Sequence, residues 1–472
     1  MKTDCKSKQI EFQELGARKV IGKFNGGTIT SDGGGLLLRE INRRTNILKN
    51  FSQCFTDYRN PDIIEHTVGQ LVSQRVFGLA LGYEDLNDHD LLRSDPLLAV
   101  LCEKEDPTGK SRKCPRDKGK ALAGKSTLNR LELTGSDADQ NSRYKKIVAN
   151  PDKIDDLFVD VFLESFSKAP SRIILDLDAT DDPLHGNQEG RFFHGYYKNY
   201  CYLPLYIFCE DHLLCARLRP SNIDAPEGAV KELERIISRI RKSWPDVKIF
   251  IRADSGFCRE EIMSWCEAHR VGYILGLAKN NRLNQMIKED LVDAQIMYRT
   301  TGRASRIYND FFYQTLKTWR KPRRVIGKAE YLNKGANPRF VVTSIAGEKI
   351  DPDQLYEKLY CARGDMENRI KEQQLYLFAD RTSTSQMRSN QIRLYFSSVA
   401  YLLVSALRRF GLKGTKLSKA QCHTIRLKLL KVGAQVQVTV RKVWISWAEG
   451  YPFIDIFHQV FENIRKKVPI PV

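Results

Sequence analysis

Arg172-Ile173-Ile174-Leu175-Asp176-Leu177-Asp178-Ala179-Thr180 is the stretch on which the reading of the fold turns. After Arg172 it runs through apolar, largely β-branched residues, as a strand does. Two aspartates then enter at alternate positions, so Asp176 and Asp178 share one face while Leu175 and Leu177 share the other. Carboxylates among apolar neighbours near the end of an inner strand need a cation or hydrogen-bond donors, because a bare buried charge is costly. A strand-to-loop boundary where the acids meet water accounts for the same residues, since Asp181 and Asp182 follow.

Outward from this strand the pattern alternates. Tyr200 to Phe208 and Leu213 to Leu218 read as strands. A helix follows, with Asp224 as N-cap, Glu227 three residues on, and Val230, Leu233, Ile237, Ile240 and Trp244 on one face. Val247 to Ala253 (VKIFIRA) is an almost continuous apolar strand of the kind buried on both sheet faces, and Asp254 follows it directly. Glu260 to His269 is a helix and Gly272 to Ala278 (GYILGLA) another buried strand. Three strands, a helix, a strand, a helix and a strand predict an α/β fold with a mixed sheet, in the order of a ribonuclease H-like catalytic core over residues 165–280.

Residues 281–350 break this rhythm with short apolar runs such as Phe311-Phe312-Tyr313 and Phe340-Val341-Val342, which predict a β-rich insertion. A core helix then occupies residues 351–380, starting after Asp351-Pro352. The first 150 residues read as a mostly helical N-terminal domain. Residues 381–472 read as a basic helical C-terminal region, in which Tyr401 to Trp447 holds ten Lys or Arg and no acid.

Two further acidic positions stand out. Asp254 ends its strand where active sites of open α/β sheets collect, although a helix cap explains it equally. On the later helix, Tyr360, Arg363, Glu367 and Lys371 are spaced i, i+3, i+7 and i+11 and share one face, as the ion pairs of a solvated helix also would.

Composition narrows the classes. The chain has 472 residues, 42% hydrophobic and 28% charged, which suits a soluble globular protein of several domains. No apolar run approaches the roughly 18–20 residues of a membrane span, and the polar Met1 to Gln9 lacks a signal-peptide core, so a cytoplasmic protein without membrane contact is expected. Lys and Arg number 76 against 57 acids, a net charge of +19 that favours a polyanionic partner. The 11 cysteines form no C-x-x-C pair, which argues against zinc and disulfide frameworks and for free, mostly buried thiols. Gly119 to Ser126 fits the phosphate-loop formula G-x-x-x-x-G-K-S, but charged Lys110 to Lys118 stand where a buried strand is needed. His185 and His194 flank Gln188-Glu189-Gly190 at a spacing poor for zinc; they read as active-site rim, as contacts to a polyanionic partner such as DNA, or as ordinary loop residues.

Together these residues resemble the DDE transposases of bacterial insertion sequences, in the branch marked by Y-x-x-R-x-x-x-E. Tyr360, Arg363 and Glu367 match that spacing, Asp178-Ala179-Thr180 is similar to its D-x-T motif, and Asp254 falls where its second aspartate ends a strand. The phrases TSDGGGLLLRE (residues 30–40), LDLDATDDPLHGNQEG (175–190) and RADSGF (252–257) resemble the insertion-sequence family called thirteen-eighty. The signature often carries Lys seven positions after the Glu; Gln374 stands there, and Lys371 one turn earlier is the substitute.

The resemblance implies that Asp178, Asp254 and Glu367 are catalytic and hold two Mg²⁺ ions, with Mn²⁺ able to replace them and Asp176 as a further ligand. It implies metal-dependent DNA hydrolysis and strand transfer that excise and integrate an insertion sequence. Tyr360, Arg363 and Lys371 are expected to contact DNA, and so are the helical N-terminal domain and Arg320, Lys321, Arg323 and Arg324 beside Trp319. The partners implied are double-stranded terminal inverted repeats and target DNA, a second copy of the chain in the active complex, and hence the nucleoid. A ribonuclease H-like nuclease that never joins strands, and an inactive DNA-binding regulator descended from a transposase, are the competing readings.

Overall fold

The computed structural model describes residues 9–466, so all of the polar segment Met1 to Gln9 except Gln9 lies outside the described residues. The chain divides into two compact units. The larger comprises residues 47–59 and 130–405, the smaller residues 9–46, 60–129 and 406–465.

A nine-stranded mixed sheet organises the larger unit. Its strands are β1 (Arg172–Ala179), β2 (Leu205–Cys209), β3 (His212–Arg217), β4 (Lys248–Ala253), β5 (Gly272–Leu277), β6 (Ser305–Tyr313), β7 (Arg323–Leu332), β8 (Gly335–Ala336) and β9 (Arg339–Thr343). They lie in the order β3-β2-β1-β4-β5-β9-β7-β6, with β8 paired to β7. Only β1, β4 and β5 run parallel. These are the strands with the apolar runs, and Ile173, Leu175, Leu177, Ile249, Ile251 and Leu275 are all buried. Against that face pack Phe162, Leu233, Ile237, Ile240 and Met263 from the helices Pro151–Glu164, Ala229–Ser243 and Glu260–Ala268. Each such side chain contributes roughly 1.5–3 kcal/mol by leaving water.

Several expected boundaries shift for identifiable reasons. The run Tyr200 to Phe208 splits at Leu203-Pro204, because proline has no N–H for a ladder. Asn199–Tyr202 pairs instead in a small sheet with Phe192–His194 and Asp182–Pro183, while β2 joins the central one. The helix Ala229–Ser243 starts after Gly228, which is left-handed at φ 74°, and Asp224 to Glu227 forms a turn before it. Residues 281–301, expected to be β-rich, are mostly helical (Asn281–Met286 and Lys288–Thr301). The second of these helices leaves Val292, Ile296 and Met297 exposed, so its apolar stripe is too thin to announce a helix. The remaining strands of that segment extend the central sheet through β9, where Leu275 pairs with Val342.

In the smaller unit, Thr67 and Gln70 form a reciprocal capping box at the head of the helix Val68–Leu81. The C-terminal segment is not wholly helical: Ala434–Val438 and Val443–Trp447 form a hairpin, foreshadowed by the alternation Ala434, Val436 in and Gln435, Gln437 out. Its first strand pairs Ala434 with Thr30. The glycines that follow are there for close approach: Gly33 N–H donates to Val432 O (2.8 Å), and a Cβ on Gly34 would stand 1.7 Å from Leu429 O. Asp32 completes the junction by accepting from the Tyr83 hydroxyl (2.6 Å) and pairing Lys431 (2.6 Å). The segment matching the phosphate-loop formula has no strand before it; a 3₁₀ turn, Pro115–Asp117, stands there. Ten cysteines are described, seven of them buried. No described helix is long and apolar enough to cross a membrane.

Two outcomes follow. Gly34→Ala will destabilise the chain by about 1–3 kcal/mol or more in thermal unfolding, whereas Gly433→Ala, whose Cβ would meet nothing within 4 Å, will stay within about 0.5 kcal/mol. The second concerns Asp182, which is 1% exposed, has no partner for Oδ1, and is pushed well above the usual carboxyl range first by burial and then by Asp380 and Asp181. The folded chain therefore keeps a proton that the unfolded chain releases at about pH 4, and stability falls as pH rises above that value. Asp182→Asn removes this loss, so its melting temperature relative to wild type should climb between mildly acidic and neutral pH; a constant difference would refute the assignment.

Candidate active site

The parallel register decides where the first two carboxylates go. Arg252 lies opposite Asp176 and Ala253 opposite Leu177, so the next outward-facing pair, Asp178 and Asp254, emerges side by side at the carboxyl ends of β1 and β4. Glu367 comes from the helix Gly364–Lys371 within a helical run from Pro352 to Tyr376. Two π-helical stretches, Leu355–Tyr360 and Glu372–Tyr376, interrupt that run, a feature frequent at functional sites. Met366 and Ile370 bury the inner side of the helix, which turns Arg363, Glu367, Lys371 and Gln374 toward a cavity of about 620 Å³. Asp178 and Asp254 line the same cavity, with Thr180, His194, Tyr196, Tyr197 and Arg259.

Arg363 governs the electrostatics of this space. Its guanidinium reaches Glu367 Oε1 at 2.8 Å and Asp178 Oδ2 at 3.4 Å. Burial raises the Asp178 carboxyl to about 6, with Arg363 pulling the other way and Asp254 pushing it up. Asp254 Oδ1 caps the turn Ser255–Phe257 by accepting from Gly256 N–H (2.9 Å). The cap and the cavity-lining position therefore coexist in one side chain. Tyr360 is packed beside this loop: a Cβ on Gly276 of β5 would lie 2.5 Å from its hydroxyl and 2.9 Å from Ser255 N.

Among the described residues, no three His, Cys, Asp or Glu side chains converge tightly enough to enclose a metal ion. The donor set nevertheless suits a hard cation, since three carboxylates face one cavity and a guanidinium already stands between two of them. Gln374 donates to Asp181 O (3.1 Å), while Lys371 is exposed at the cavity with no ion pair among the described residues.

Three expectations are corrected. Asp176 does not face the cavity: Arg252 holds both its oxygens (2.5 and 2.8 Å) in a buried pair, and Arg252 also donates to Leu359 O. Arg323 and Arg324 are not surface cations. Arg323 is locked by Glu260 (2.6 Å) and Glu267 (2.9 Å), and Arg324 by Asp310 (2.7 Å). Trp319 is buried beneath Arg323 rather than displayed beside it. Arg320 and Lys321 are exposed, but Lys321 pairs Glu267 at 3.0 Å and neither lines the cavity. Of the two histidines, His194 lines the cavity and His185 does not. Tyr196, Tyr197 and Arg259 escaped the sequence reading, although the adjacent aromatics of Gly195-Tyr196-Tyr197 were a visible signal.

The correction at Asp176 can be checked. Asp176→Asn leaves Arg252 uncompensated in the interior and should cost about 3–5 kcal/mol in denaturant unfolding. Mn²⁺ affinity, read by water-proton relaxation on the folded variant, should stay near wild type. Asp178→Asn should do the reverse, with stability kept and Mn²⁺ affinity lost.

No curated protein matches the chain. Residues 12–469 match the family described as transposase DDE domain, group 1. The match spans nearly the whole chain, including the residues that line the cavity. The chain belongs to the DDE transposase domain family, group 1.

Proposed function

We propose that this chain is an insertion-sequence transposase of the Y-x-x-R-x-x-x-E branch, of the family called thirteen-eighty, with a ribonuclease H-like core. The observation that carries the reading is the meeting of Asp178, Asp254 and Glu367 at one cavity, with Arg363 already neutralising two of them. These three carboxylates would hold divalent ions, two Mg²⁺ or Mn²⁺ in their place. When bound, such ions activate the attacking oxygen and stabilise the leaving one in a phosphoryl displacement.

The protein groups then have separable duties. Asp178 and Asp254 are fixed by the strand register and cannot drift apart without breaking the sheet. Arg363 is the cation that can exchange its carboxylates for a DNA phosphate, since a guanidinium suits both. Tyr360 supports the Asp254 loop through its close packing at Gly276. Lys371 offers an unpaired ammonium at the cavity mouth, in the place of the Lys that Gln374 lacks. Water attacks the phosphodiester at an element end, one P–O bond forming as another breaks, and a 3′-hydroxyl is freed. That hydroxyl attacks target DNA in the same way, which joins the strands. The net charge of +19 suits terminal repeats and target DNA held together, and bringing two ends together calls for two copies of the chain on the nucleoid.

Strand cleavage on DNA carrying the element's terminal repeats should require Mg²⁺ or Mn²⁺ and fall at least about 10³-fold in Glu367→Ala. Full metal-dependent cleavage by that variant would overturn the assignment. Pre-cleaved ends should be joined to target DNA by wild type; cutting without joining would instead make the chain a nuclease. No metal-dependent cleavage on any cognate DNA would make it an inactive regulator.

A further inference from the structure

Beside the carboxylates stands a hairpin that this chemistry leaves unused. Its strands, Phe192–His194 and Asn199–Tyr202, are joined by Gly195-Tyr196-Tyr197-Lys198. Phe193 and Tyr200 face each other across it, their rings 5.5 Å apart and edge-to-face, and Arg191 lies 3.9 Å above Tyr200. Phe193 is 57% exposed and Tyr196, at the tip, is 83% exposed. Aromatics displayed together like this serve no core, and their clustering marks a binding surface.

The display is held rigidly. Asn199 donates to Asp181 Oδ2 (3.0 Å), the Ser221 hydroxyl to Phe192 O (2.9 Å), and Lys198 N–H to His194 O (2.8 Å). Tyr197 is half-buried and donates its hydroxyl to Ala179 O (3.3 Å), the residue after Asp178. Tyr196 meets Tyr197 edge-on at 5.0 Å, and both line the carboxylate cavity. The tip is therefore tied to the site, with one aromatic face presented to whatever enters it.

We infer that Tyr196, braced by Tyr197, stacks on an unpaired nucleobase of the DNA strand whose phosphate lies at Asp178, Asp254 and Glu367. This rests on the transposase reading above. Both faces of a base within a duplex are covered by its neighbours, so an exposed ring can engage only a terminal or unpaired base. Cutting both strands at an element end leaves a terminal base beside the cavity, and fraying of that end unpairs it. Lys198 and Lys371, exposed and without ion pairs among the described residues, supply the attraction for the strand that carries it. A hydrophobic protein partner fits less well, because the cations Arg191, Lys198 and Lys371 stand among these rings.

The test titrates the full chain with two duplexes of one generic sequence, blunt or bearing a short single-stranded overhang that contains 2-aminopurine. Wild type should prefer the overhang and quench its fluorescence. Tyr196→Ala should lose about ten-fold in overhang affinity, the size of one base–aromatic stack, and lose the quench while keeping its blunt-duplex affinity. Tyr196→Trp should keep both. Unchanged preference and quench in Tyr196→Ala would overturn the platform while leaving the DNA reading intact. So would dissociation of a dimer by that variant with no effect on the overhang, which would assign the face to a second copy. Failure of wild type to bind either duplex would overturn both.

Discussion

The site depends first on the buried pair between Asp176 and Arg252. It joins neighbouring parallel strands at one register position, and both side chains are almost fully withdrawn from water. A buried ion pair is a weak source of net stability, but removing one partner leaves a charge in the interior. A slip of one residue between β1 and β4 would separate these charges and turn every side chain of one strand to the opposite face. The pair therefore specifies register more than it adds stability. Register is what sets Asp178 beside Asp254 one pleat repeat later. Arg252 extends the constraint through its bond to Leu359 O, which reaches the helical run carrying Glu367. A single guanidinium thus ties together the elements that supply all three carboxylates.

A second guanidinium plays the opposite part. Arg363 contacts Asp178 and Glu367 at the edge of an open cavity, where it can be displaced by a competing cation or released to a competing anion. Three carboxylates sharing one space repel one another, and Asp178 is raised first by burial and then by Asp254 and Glu367, against the pull of Arg363. The folded chain holds this repulsion because β1, β4 and the Glu367 helix are fixed by packing elsewhere. One arginine is locked and builds the frame; the other is exchangeable and belongs to the chemistry.

Much of this was legible before any coordinates. The apolar runs of β4 and β5 announced buried strands of a mixed sheet, and period two put Asp176 and Asp178 on one face of β1. The helical face of Arg363, Glu367 and Lys371 was legible from spacing alone. Pairing partners were not. Nothing in Arg320-Lys321-Trp319 and Arg323-Arg324 says that Glu260, Glu267 and Asp310 wait across the fold to bury two of these cations, because each partner is 14 to 63 residues away. Asp176 failed for the same reason: strand period gives a shared face with Asp178, but only the neighbouring strand decides that Arg252 sits over one of them.

The phrases that carried the family resemblance divide along this line. In LDLDATDDPLHGNQEG, Asp178 lines the cavity, Asp176 fixes register, and Asp182 is buried away from solvent. In TSDGGGLLLRE the residues serve the smaller unit's own packing: Asp32 grips Lys431 and Tyr83, and Gly34 admits the backbone at Leu429. Close backbone approach tolerates nothing but glycine, and a buried ion pair tolerates few substitutions, so architecture constrains these positions as tightly as chemistry constrains a metal ligand. A motif's sharpness therefore measures how few side chains a place accepts. Whether that intolerance comes from packing or from reaction is decided by what each side chain touches, and it can differ between residues two positions apart.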